Sequence, residues 1–192
     1  MSSTKEKILE AMYDLVAEVG YDKASIGKIC DRVGISKPSV YYYFPSKEEI
    51  FCALLDNMFP TLDNEKSYAS ITDREEYRTA LIELGYGIID NYRDDVKRRN
   101  VLAELSIQAN RIPALAQRHL DSSVRTMNEI EHVLRRGVEI GVFAPDFDTR
   151  HHAQFFYTLL EGMSQTVVQH EDIDEKSIWH TAVSLLLGQT DA

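Results

Sequence analysis

Cysteine is scarce in this sequence, with Cys30 and Cys52 as its only two. Two cysteines are too few for a disulfide framework, and no C-x-x-C or Cys/His metal-ligand spacing is present. No apolar run approaches the roughly 20 residues that a membrane-spanning helix needs. The first residues, MSSTKEKILEAMYDL, mix charges into their apolar positions and lack the apolar block of a signal peptide. We therefore expect a cytoplasmic protein with no metal and no cofactor.

The sequence motifs that are typical of enzymes are missing as well. There is no Gly-rich phosphate loop, no G-x-S-x-G elbow and no H-E-x-x-H pair. A helical-bundle oxygenase would need repeated Glu-x-x-His pairs, and only Glu129-x-x-His132 occurs. His151 and His152 are adjacent, so on a helix they would point about 100° apart and would not share a metal. We therefore expect a protein that is not an enzyme.

Strand signals are nearly absent, and apolar residues recur with the 3.6-residue period of helices. The first helix is predicted from Thr4 to Val19, with Gly20 ending it. Thr72 to Glu75 form a capping box that predicts the start of a long helix, and Pro113 is suited to the first turn of another. The pattern predicts an all-α fold of about nine helices.

Charge is distributed unevenly along the chain, whose formal net charge is −10. Residues 1–50 contain seven Lys/Arg and eight Asp/Glu, a net of −1, whereas residues 51–192 contain 14 and 23, a net of −9. Between Ser25 and Lys47, four basic residues face the single acid Asp31, which gives a local charge of +3. Such a basic island on an acidic body allows phosphate contact at one surface and argues against indiscriminate polyanion binding.

The first fifty residues have the pattern of a helix-turn-helix. A short helix is predicted after Ser25, Gly34 supplies the turn, and a third helix begins after Ser36. Cys30 is small enough to let the two helices cross closely. In such motifs the N-terminal end of the third helix enters the major groove of DNA. That end carries Lys37, Pro38, Ser39 and Tyr42 on its outer face.

The segment SIGKICDRVGISKPSVYYYFPSKEEIF resembles the TetR family of bacterial transcriptional regulators. The resemblance implies a three-helix DNA-binding domain over residues 1–47, followed by a helical ligand-binding and dimerisation domain over residues 48–192. It implies that Tyr41, Tyr43 and Lys47 contact phosphates, and that Ser25 caps the second helix and faces the backbone. Lys37, Pro38, Ser39 and Tyr42 occupy base-reading positions. The predicted DNA-binding residues are Ser25, Lys28, Lys37, Pro38, Ser39, Tyr41, Tyr42, Tyr43 and Lys47.

Two positions depart from the family pattern. Gly27 stands where many members carry Arg or another long polar side chain, so a base contact from the second helix is not expected here. Cys30 replaces the usual alanine, and we interpret it as a small buried residue, with redox sensing as the alternative.

The two last predicted helices each have two apolar faces. One face could pack within the protomer and the other on a second subunit, while a monomer that buries both faces is the alternative. The family resemblance implies that these helices form a four-helix dimer interface. The predicted interface residues are Phe155, Leu159, Gly162, Met163, Thr166, Trp179, Val183 and Leu187.

The helices between Glu75 and Val138 mix aromatic and polar residues on their inward faces. The resemblance implies a small-molecule pocket there, and such pockets are mostly apolar with a few polar groups. The predicted ligand contacts are Tyr86, Glu104, Gln108, His119, Met127 and Tyr157, although any one such residue taken alone more often belongs to the core or to a helix surface. Glu104 hints at a cationic or amine-bearing ligand.

These observations predict a ligand-responsive transcriptional repressor that binds a palindromic operator as a homodimer. Its partners would be double-stranded DNA, a second copy of the chain and a small-molecule effector, with no membrane. A helical protein-interaction module without DNA binding is the alternative.

Overall fold

The computed structural model describes residues 3–58, 68–169 and 172–188. Within these ranges the structure has nine helices and no strand, which confirms the predicted all-α fold. No helix in the same ranges is long and apolar enough to cross a membrane. The helices are α1 (Thr4–Val19), α2 (Ile26–Val33), α3 (Lys37–Tyr43), α4 (Lys47–Met58), α5 (Arg74–Asp94), α6 (Val96–Ala109), α7 (Pro113–Glu139), α8 (Thr149–Gln169) and α9 (Glu175–Leu186).

Helix α1 begins and ends where the sequence predicts. The Ser3 hydroxyl accepts the N–H of Glu6 at 3.2 Å, and the Glu6 carboxylate accepts the N–H of Ser3 at 2.7 Å. This reciprocal pair satisfies two backbone donors that a helix start leaves without intrahelical partners. At the other end, the N–H of Gly20 donates to the carbonyl of Val16 at 3.0 Å.

The turn between α2 and α3 is built around Gly34. This residue adopts the left-handed conformation (φ 75°, ψ 38°), which glycine reaches without the steric cost that a Cβ atom imposes. The N–H groups of Gly34 and Ile35 both donate to the carbonyl of Cys30, at 2.8 and 3.1 Å. Cys30 itself is buried, as its small size predicts. The predicted helix-turn-helix geometry is therefore present.

Helix α5 is present as predicted, but its capping residue differs. The Asp73 carboxylate accepts the N–H groups of Glu75 and Glu76, both at 2.9 Å. Thr72 lies one residue earlier and donates from its N–H and its hydroxyl to the Glu76 carboxylate, at 2.9 and 3.2 Å. The capping box predicted for Thr72 is thus replaced by an aspartate cap, because one carboxylate oxygen can accept both amides.

Packing divides the chain into two compact units. The first contains Met1–Thr61 and Val96–Ser122, and the second contains Leu62–Asp95 and Ser123–Ala192. Helices α4 and α6 and the beginning of α7 therefore pack with the three helices of the helix-turn-helix. The predicted boundary after residue 47 concerns function and stays a prediction, whereas the first compact unit extends well beyond that residue.

The first unit has its own apolar core, and α6 is joined to α1 by polar contacts as well. The Asn100 side chain donates to the carbonyl of Ala17 at 3.1 Å, and the Lys97 ammonium lies 2.7 Å from the Asp14 carboxylate. These contacts place α6 firmly beside the DNA-reading helices. The buried core includes Ile8, Met12, Ile29, Val40, Phe51, Leu55, Val101 and Leu105.

The second unit is organised around Trp179, whose side chain is fully buried. Its indole N–H donates to the carbonyl of Leu81 at 3.0 Å, and its ring lies 5.0 Å from the ring of Phe156 between centroids. A Cβ atom at Gly85 would lie 2.0 Å from the indole ring, so the close approach of α5 to Trp179 requires glycine at that position. The buried Glu175 carboxylate is held by hydrogen bonds from Arg93 and Thr166.

Candidate nucleic-acid interface

Helix α3 exposes three consecutive tyrosines. The exposed fractions are 50% for Tyr41, 83% for Tyr42 and 40% for Tyr43. Val40 and Phe44, which flank the run, are buried in the core of the first unit. The rings of Tyr42 and Tyr43 meet edge to face with centroids 5.1 Å apart. Two apolar anchors thus hold the helix while its phenolic groups stay available to a partner.

The N-terminal end of α3 presents a cation to solvent. Lys37 and Pro38 are exposed, as the prediction of a base-reading end requires. Ser39 is partly buried, and its N–H donates to the Ser36 hydroxyl at 3.4 Å while the two hydroxyls lie 2.8 Å apart. Ser39 therefore belongs to the helix cap as well as to the predicted DNA-reading set.

The start of α2 lies close to this end of α3. The Ser25 hydroxyl caps α2 by accepting the N–H of Lys28 at 3.3 Å, and the Lys28 ammonium donates to the carbonyl of Lys23 at 3.0 Å. A Cβ atom at Gly27 would lie 3.8 Å from the Ser25 hydroxyl and 3.9 Å from Cε of Lys37. These are ordinary contact distances, so a Cβ atom at residue 27 is accommodated beside Lys37.

Lys47 is more constrained than a surface lysine. Its ammonium donates to the carbonyl of Tyr21 at 2.9 Å and lies 3.9 Å from the centroid of the Tyr21 ring. Burial lowers the pKa of Lys47, while the nearby Asp22 carboxylate acts in the opposite direction. An ammonium has three N–H donors, so the bond to Tyr21 leaves two for other acceptors, and a phosphate contact stays a prediction.

Arg32 does not contribute to the basic island that the sequence suggests. Its guanidinium lies 2.7 Å from the Glu18 carboxylate and 3.6 Å from that of Asp14, both on α1. The paired acids offset its charge, so the cations that remain for DNA are the lysines. Sequence counting could not find this pairing, because the acids lie on a different helix.

Lys5 is a candidate that sequence reasoning missed. Its ammonium lies 5.7 Å from the centroid of the Phe44 ring, and Phe44 directly follows α3. A cation therefore lies beside the C-terminal end of the tyrosine-bearing helix. No spacing signal connects two residues so far apart in sequence, and only the folded first unit brings them together.

Three of the predicted ligand contacts fall in the first unit. The Glu104 carboxylate accepts the N–H of Tyr21 at 3.1 Å. Gln108 is buried and donates to the Asp22 carboxylate at 3.4 Å. His119 is partly buried on α7. Glu104 and Gln108 thus hold the turn between α1 and α2.

The other three predicted ligand contacts fall in the second unit. The Tyr157 hydroxyl donates to the Ser123 hydroxyl at 2.7 Å, and the Lys176 ammonium lies 5.1 Å from the centroid of the Tyr86 ring. Met127 is partly buried on α7. A role in ligand binding stays a prediction for all six residues.

The predicted dimer-interface residues divide into two groups. Phe155 and Gly162 are exposed, and Leu159 and Thr166 are partly exposed. The remaining residues, Met163, Trp179, Val183 and Leu187, belong to the core of the second unit, where none is more than 4% exposed. These four side chains pack against their own unit, so they offer little surface to a partner. Their role in a dimer interface stays a prediction.

A second apolar face of α8 and α9 is exposed instead. Phe155 is 55% exposed, Ile178 41% and Leu185 66%. They line an open groove with a volume of about 710 Å³, which we call the α8–α9 groove. Its lining consists of His151, His152, Phe155, Phe156, Leu159, Ser177, Ile178, Thr181, Ala182, Leu185 and Leu186.

His152 of the groove is held by contacts with neighbouring protein groups. The ring of His152 stacks on that of Phe147 with centroids 4.1 Å apart, and its Nδ1 lies 2.8 Å from the carbonyl of Asp148. Among the residues that the structure describes, no group of three or more His, Cys, Asp or Glu side chains could hold a metal ion.

A helix-turn-helix that exposes lysine and tyrosine at its third helix is typical of a DNA-binding regulator. The model of the family described as "Bacterial regulatory proteins, tetR family" matches residues 8–54. The model described as "BetI-type transcriptional repressor, C-terminal" matches residues 88–189, which is more than half of the chain. The chain therefore belongs to the TetR family of bacterial transcriptional regulators. Members of this family are DNA-binding proteins and not enzymes.

Curated relatives match this chain over different lengths. An "Uncharacterized HTH-type transcriptional regulator in lacX 3'region" of Lactococcus lactis is 44% identical over 57 residues, which cover 30% of this chain and 29% of the relative. The "Fatty acid metabolism regulator protein" of Bacillus subtilis is 22% identical over 186 residues, which cover 95% of this chain and 93% of the relative. The higher identity thus comes from a match that spans less than a third of the relative's length.

Solved structures match nearly the whole chain. A TetR transcription regulator from Haloarcula marismortui superposes with a TM-score of 0.77 at 23% identity, over 98% of both chains. The regulator FadR from Bacillus subtilis, solved in complex with stearoyl-CoA, superposes with a TM-score of 0.74 at 19% identity, over 97% of this chain and 99% of that one. At these identities the likeness shows the fold alone.

Proposed function

We propose that this protein is a bacterial, cytoplasmic, ligand-responsive transcriptional repressor that binds a near-palindromic operator as a homodimer. The observation that carries the proposal is the surface of α3. A chain with a net charge of −10 there exposes three tyrosines beside Lys37, on a helix anchored by a buried Val40. Such a surface suits DNA, since phosphates accept hydrogen bonds from phenols and ammonium groups.

The proposed contacts divide by chemistry. Lys37 at the N-terminal end of α3 can reach guanine O6 and N7, and Pro38 can pack on a thymine methyl group. Tyr42 and Ser39 complete the base-reading group. Tyr41, Tyr43, Lys47, Ser25 and Lys28 are proposed to hold the phosphate backbone. Base contacts determine sequence choice, whereas phosphate contacts determine affinity and register.

A second copy of the chain is the proposed occupant of the α8–α9 groove. Its exposed members Phe155, Ile178 and Leu185 are large and apolar, and an exposed apolar patch of this kind marks an interaction surface. The family model that matches residues 88–189 includes both helices, and the family resemblance implies a four-helix dimer contact there. Of the residues predicted from sequence, Phe155, Leu159, Gly162 and Thr166 remain in the proposed interface.

The homodimer determines the form of the operator. A two-fold symmetric dimer presents two copies of α3, and dimeric helix-turn-helix proteins bind half-sites about 34–36 Å or a multiple of that distance apart. We therefore propose an operator built from two inverted half-sites.

The effector is proposed to be a small molecule that changes the affinity for DNA. FadR from Bacillus subtilis, which shares this fold, was solved in complex with stearoyl-CoA, and this supports the proposal that this chain also binds a small molecule. A ligand can release DNA only if it binds the DNA-free conformation better than the DNA-bound one. Tyr86, Met127 and Tyr157 are the proposed contacts in the second unit.

Selection of DNA from a random pool with the purified protein tests the proposal. We expect enrichment of an inverted repeat. If no sequence is enriched at moderate salt, the DNA-binding proposal fails and the helical protein-interaction module becomes the better account.

A further inference from the structure

One residue of the turn after α1 is held from two sides within the first unit. The N–H of Tyr21 donates to the Glu104 carboxylate of α6 at 3.1 Å. The carbonyl of Tyr21 accepts a hydrogen bond from the Lys47 ammonium at 2.9 Å. Glu104 and Lys47 therefore bind the two polar backbone groups of the same residue.

The side chain of Tyr21 makes this connection rigid. The residue is only 5% exposed, and its ring lies 5.0 Å from the ring of Phe51 on α4 between centroids. The Lys47 ammonium lies 3.9 Å from the centroid of the Tyr21 ring, a distance at which a cation is attracted to the ring face. A shift of Tyr21 would therefore move both groups that orient this ammonium.

Helix α6 is a firm support for Glu104. Val101 and Leu105 of the same helix are buried in the core of the first unit, and Asn100 is bonded to the carbonyl of Ala17. The Glu104 carboxylate thus has a defined position from which to hold the N–H of Tyr21. A carboxylate is also a stronger acceptor for a backbone amide than a neutral oxygen is.

We propose that Glu104 is a positioning residue for DNA binding. It holds Tyr21, and Tyr21 in turn aims the Lys47 ammonium at a phosphate of the operator. The inference rests on the proposed phosphate contact of Lys47. The inference predicts that loss of Glu104 weakens DNA binding. Charge alone predicts the reverse, because removing an acid near a DNA-binding surface would strengthen binding.

A double-mutant cycle on the full-length protein tests this inference. The affinity for the selected operator is measured by fluorescence anisotropy over a range of salt concentrations. We expect Glu104→Ala to weaken binding by roughly tenfold, as the loss of a hydrogen bond to a charged group does. Lys47→Ala should lower the slope of log affinity against log salt by about 0.9 for each phosphate that the protein no longer neutralises. Glu104→Ala should lower the slope in the same way, and the double variant should bind no more weakly than Lys47→Ala alone.

Two control variants separate positioning from other effects. Glu104→Gln keeps an oxygen that can accept the N–H of Tyr21, so it should bind operator at least as well as the unmodified protein. Ser106→Ala removes an exposed hydroxyl from the same helix and should change nothing. Thermal unfolding followed by circular dichroism establishes whether each variant is folded. If Glu104→Ala is not folded, Glu104→Asp replaces it in the cycle, because its shorter side chain moves the carboxylate away from the N–H of Tyr21.

The outcomes distinguish this inference from the function on which it rests. If Lys47→Ala weakens binding while Glu104→Ala binds unchanged, more tightly, or additively with Lys47→Ala, the inference is overturned and the phosphate contact stands. An unchanged salt slope for Glu104→Ala would likewise overturn it, since a loss of folded protein alone leaves the slope unaltered. If Lys47→Ala itself binds operator normally, the phosphate contact of Lys47 fails and the inference fails with it.

Discussion

The surface of α3 and the α8–α9 groove both expose large aromatic or aliphatic side chains, but they differ in what accompanies them. On α3 each exposed ring ends in a hydroxyl, and Lys37 lies at the start of the helix. In the groove the exposed large apolar residues are Phe155, Ile178 and Leu185, which carry no polar end, and exposed His151, Ser177 and Thr181 line it beside them. A phenol has an apolar ring and a polar tip and so suits a hydrated partner such as DNA. A bare hydrocarbon surface gains only when another apolar surface covers it.

Formal net charge also differs between the two regions of the chain. Residues 51–192 have a formal net charge of −9, against −1 for residues 1–50. The acidic residues 51–192 repel DNA, and this repulsion favours DNA contact at the α3 surface alone. Arg32 is paired with acids of α1, so its charge is offset. The cations left for DNA at this surface are the lysines near α2 and α3. One surface is thus suited to a polyanion and the other to a second protein chain.

The largest expected effect comes from placing a charge in the groove. Leu185→Glu should produce monomers, because a carboxylate would be buried at the proposed interface without a partner. Since a monomer can bind only one half-site at a time, binding to the full operator should weaken on the order of 100-fold, while binding to a single half-site is unchanged. Analytical ultracentrifugation and fluorescence anisotropy measure the two effects.

Leu120→Glu is the matched control for this change. Leu120 is 55% exposed, compared with 66% for Leu185, and lies outside the groove. It should remain a dimer with normal affinity. If Leu185→Glu stays dimeric, the α8–α9 groove is not the dimer interface. The proposal that this groove binds a second copy of the chain then fails.

A change in sequence preference is expected from Lys37→Ala. A bidentate contact to a base contributes about 1–3 kcal/mol of discrimination, so the preference for the native base at one position per half-site should fall by roughly tenfold to a hundredfold. Repeating the random-pool selection measures this. Lys7→Ala removes an exposed lysine of α1 and should leave the consensus intact. An unaltered consensus for Lys37→Ala would remove this lysine from the base-reading group.

A smaller and uniform loss is expected from Tyr43→Phe. Removal of one hydroxyl that donates to a phosphate should weaken binding by roughly tenfold or less, and equally for operator and for random DNA. Competition binding with both DNAs measures the ratio. Thr158→Val removes an exposed hydroxyl of the second unit that lies outside the proposed sites and should have no effect. A loss confined to the operator would show that Tyr43 reads bases.

The smallest expected effect is a gain from Gly27→Arg. A Cβ atom at this position meets only ordinary contacts at 3.8 and 3.9 Å, so the start of the arginine side chain is accommodated, and we expect it to add a cation near Lys37. Binding to all DNA should tighten by a few fold, and the salt slope should steepen by about 0.9 for each additional phosphate that the arginine neutralises. Gly87→Arg is the control, because it adds the same charge in open space on α5. Equal gains in both variants would show that total charge matters rather than the α3 surface.

The local features of the fold could be predicted from sequence because their causes are local. Ser3 with Glu6, the Ser25 cap and the left-handed Gly34 each act within a few residues. The family motif then assigns the exposed and buried positions of α3 correctly, with Phe44 in the core and Tyr42 in solvent.

The features that sequence reasoning missed depend on distant residues. The pattern of α9 has two apolar faces, and nothing in its period decides which face is buried. Trp179 faces inward because Gly85, on another helix, leaves room for its ring. In the same way, the hydrogen bond from the N–H of Tyr21 to Glu104 joins residues that are 83 positions apart, so no sequence spacing could predict it.

The mass of the complex on the selected operator tests the central claim most directly. Native mass spectrometry or sedimentation of the purified protein with that DNA counts the chains bound. Our account predicts two chains for each inverted repeat, or a multiple of two, and dimers in the absence of DNA. A single chain on the selected DNA, or selected sites without two-fold symmetry, would contradict it.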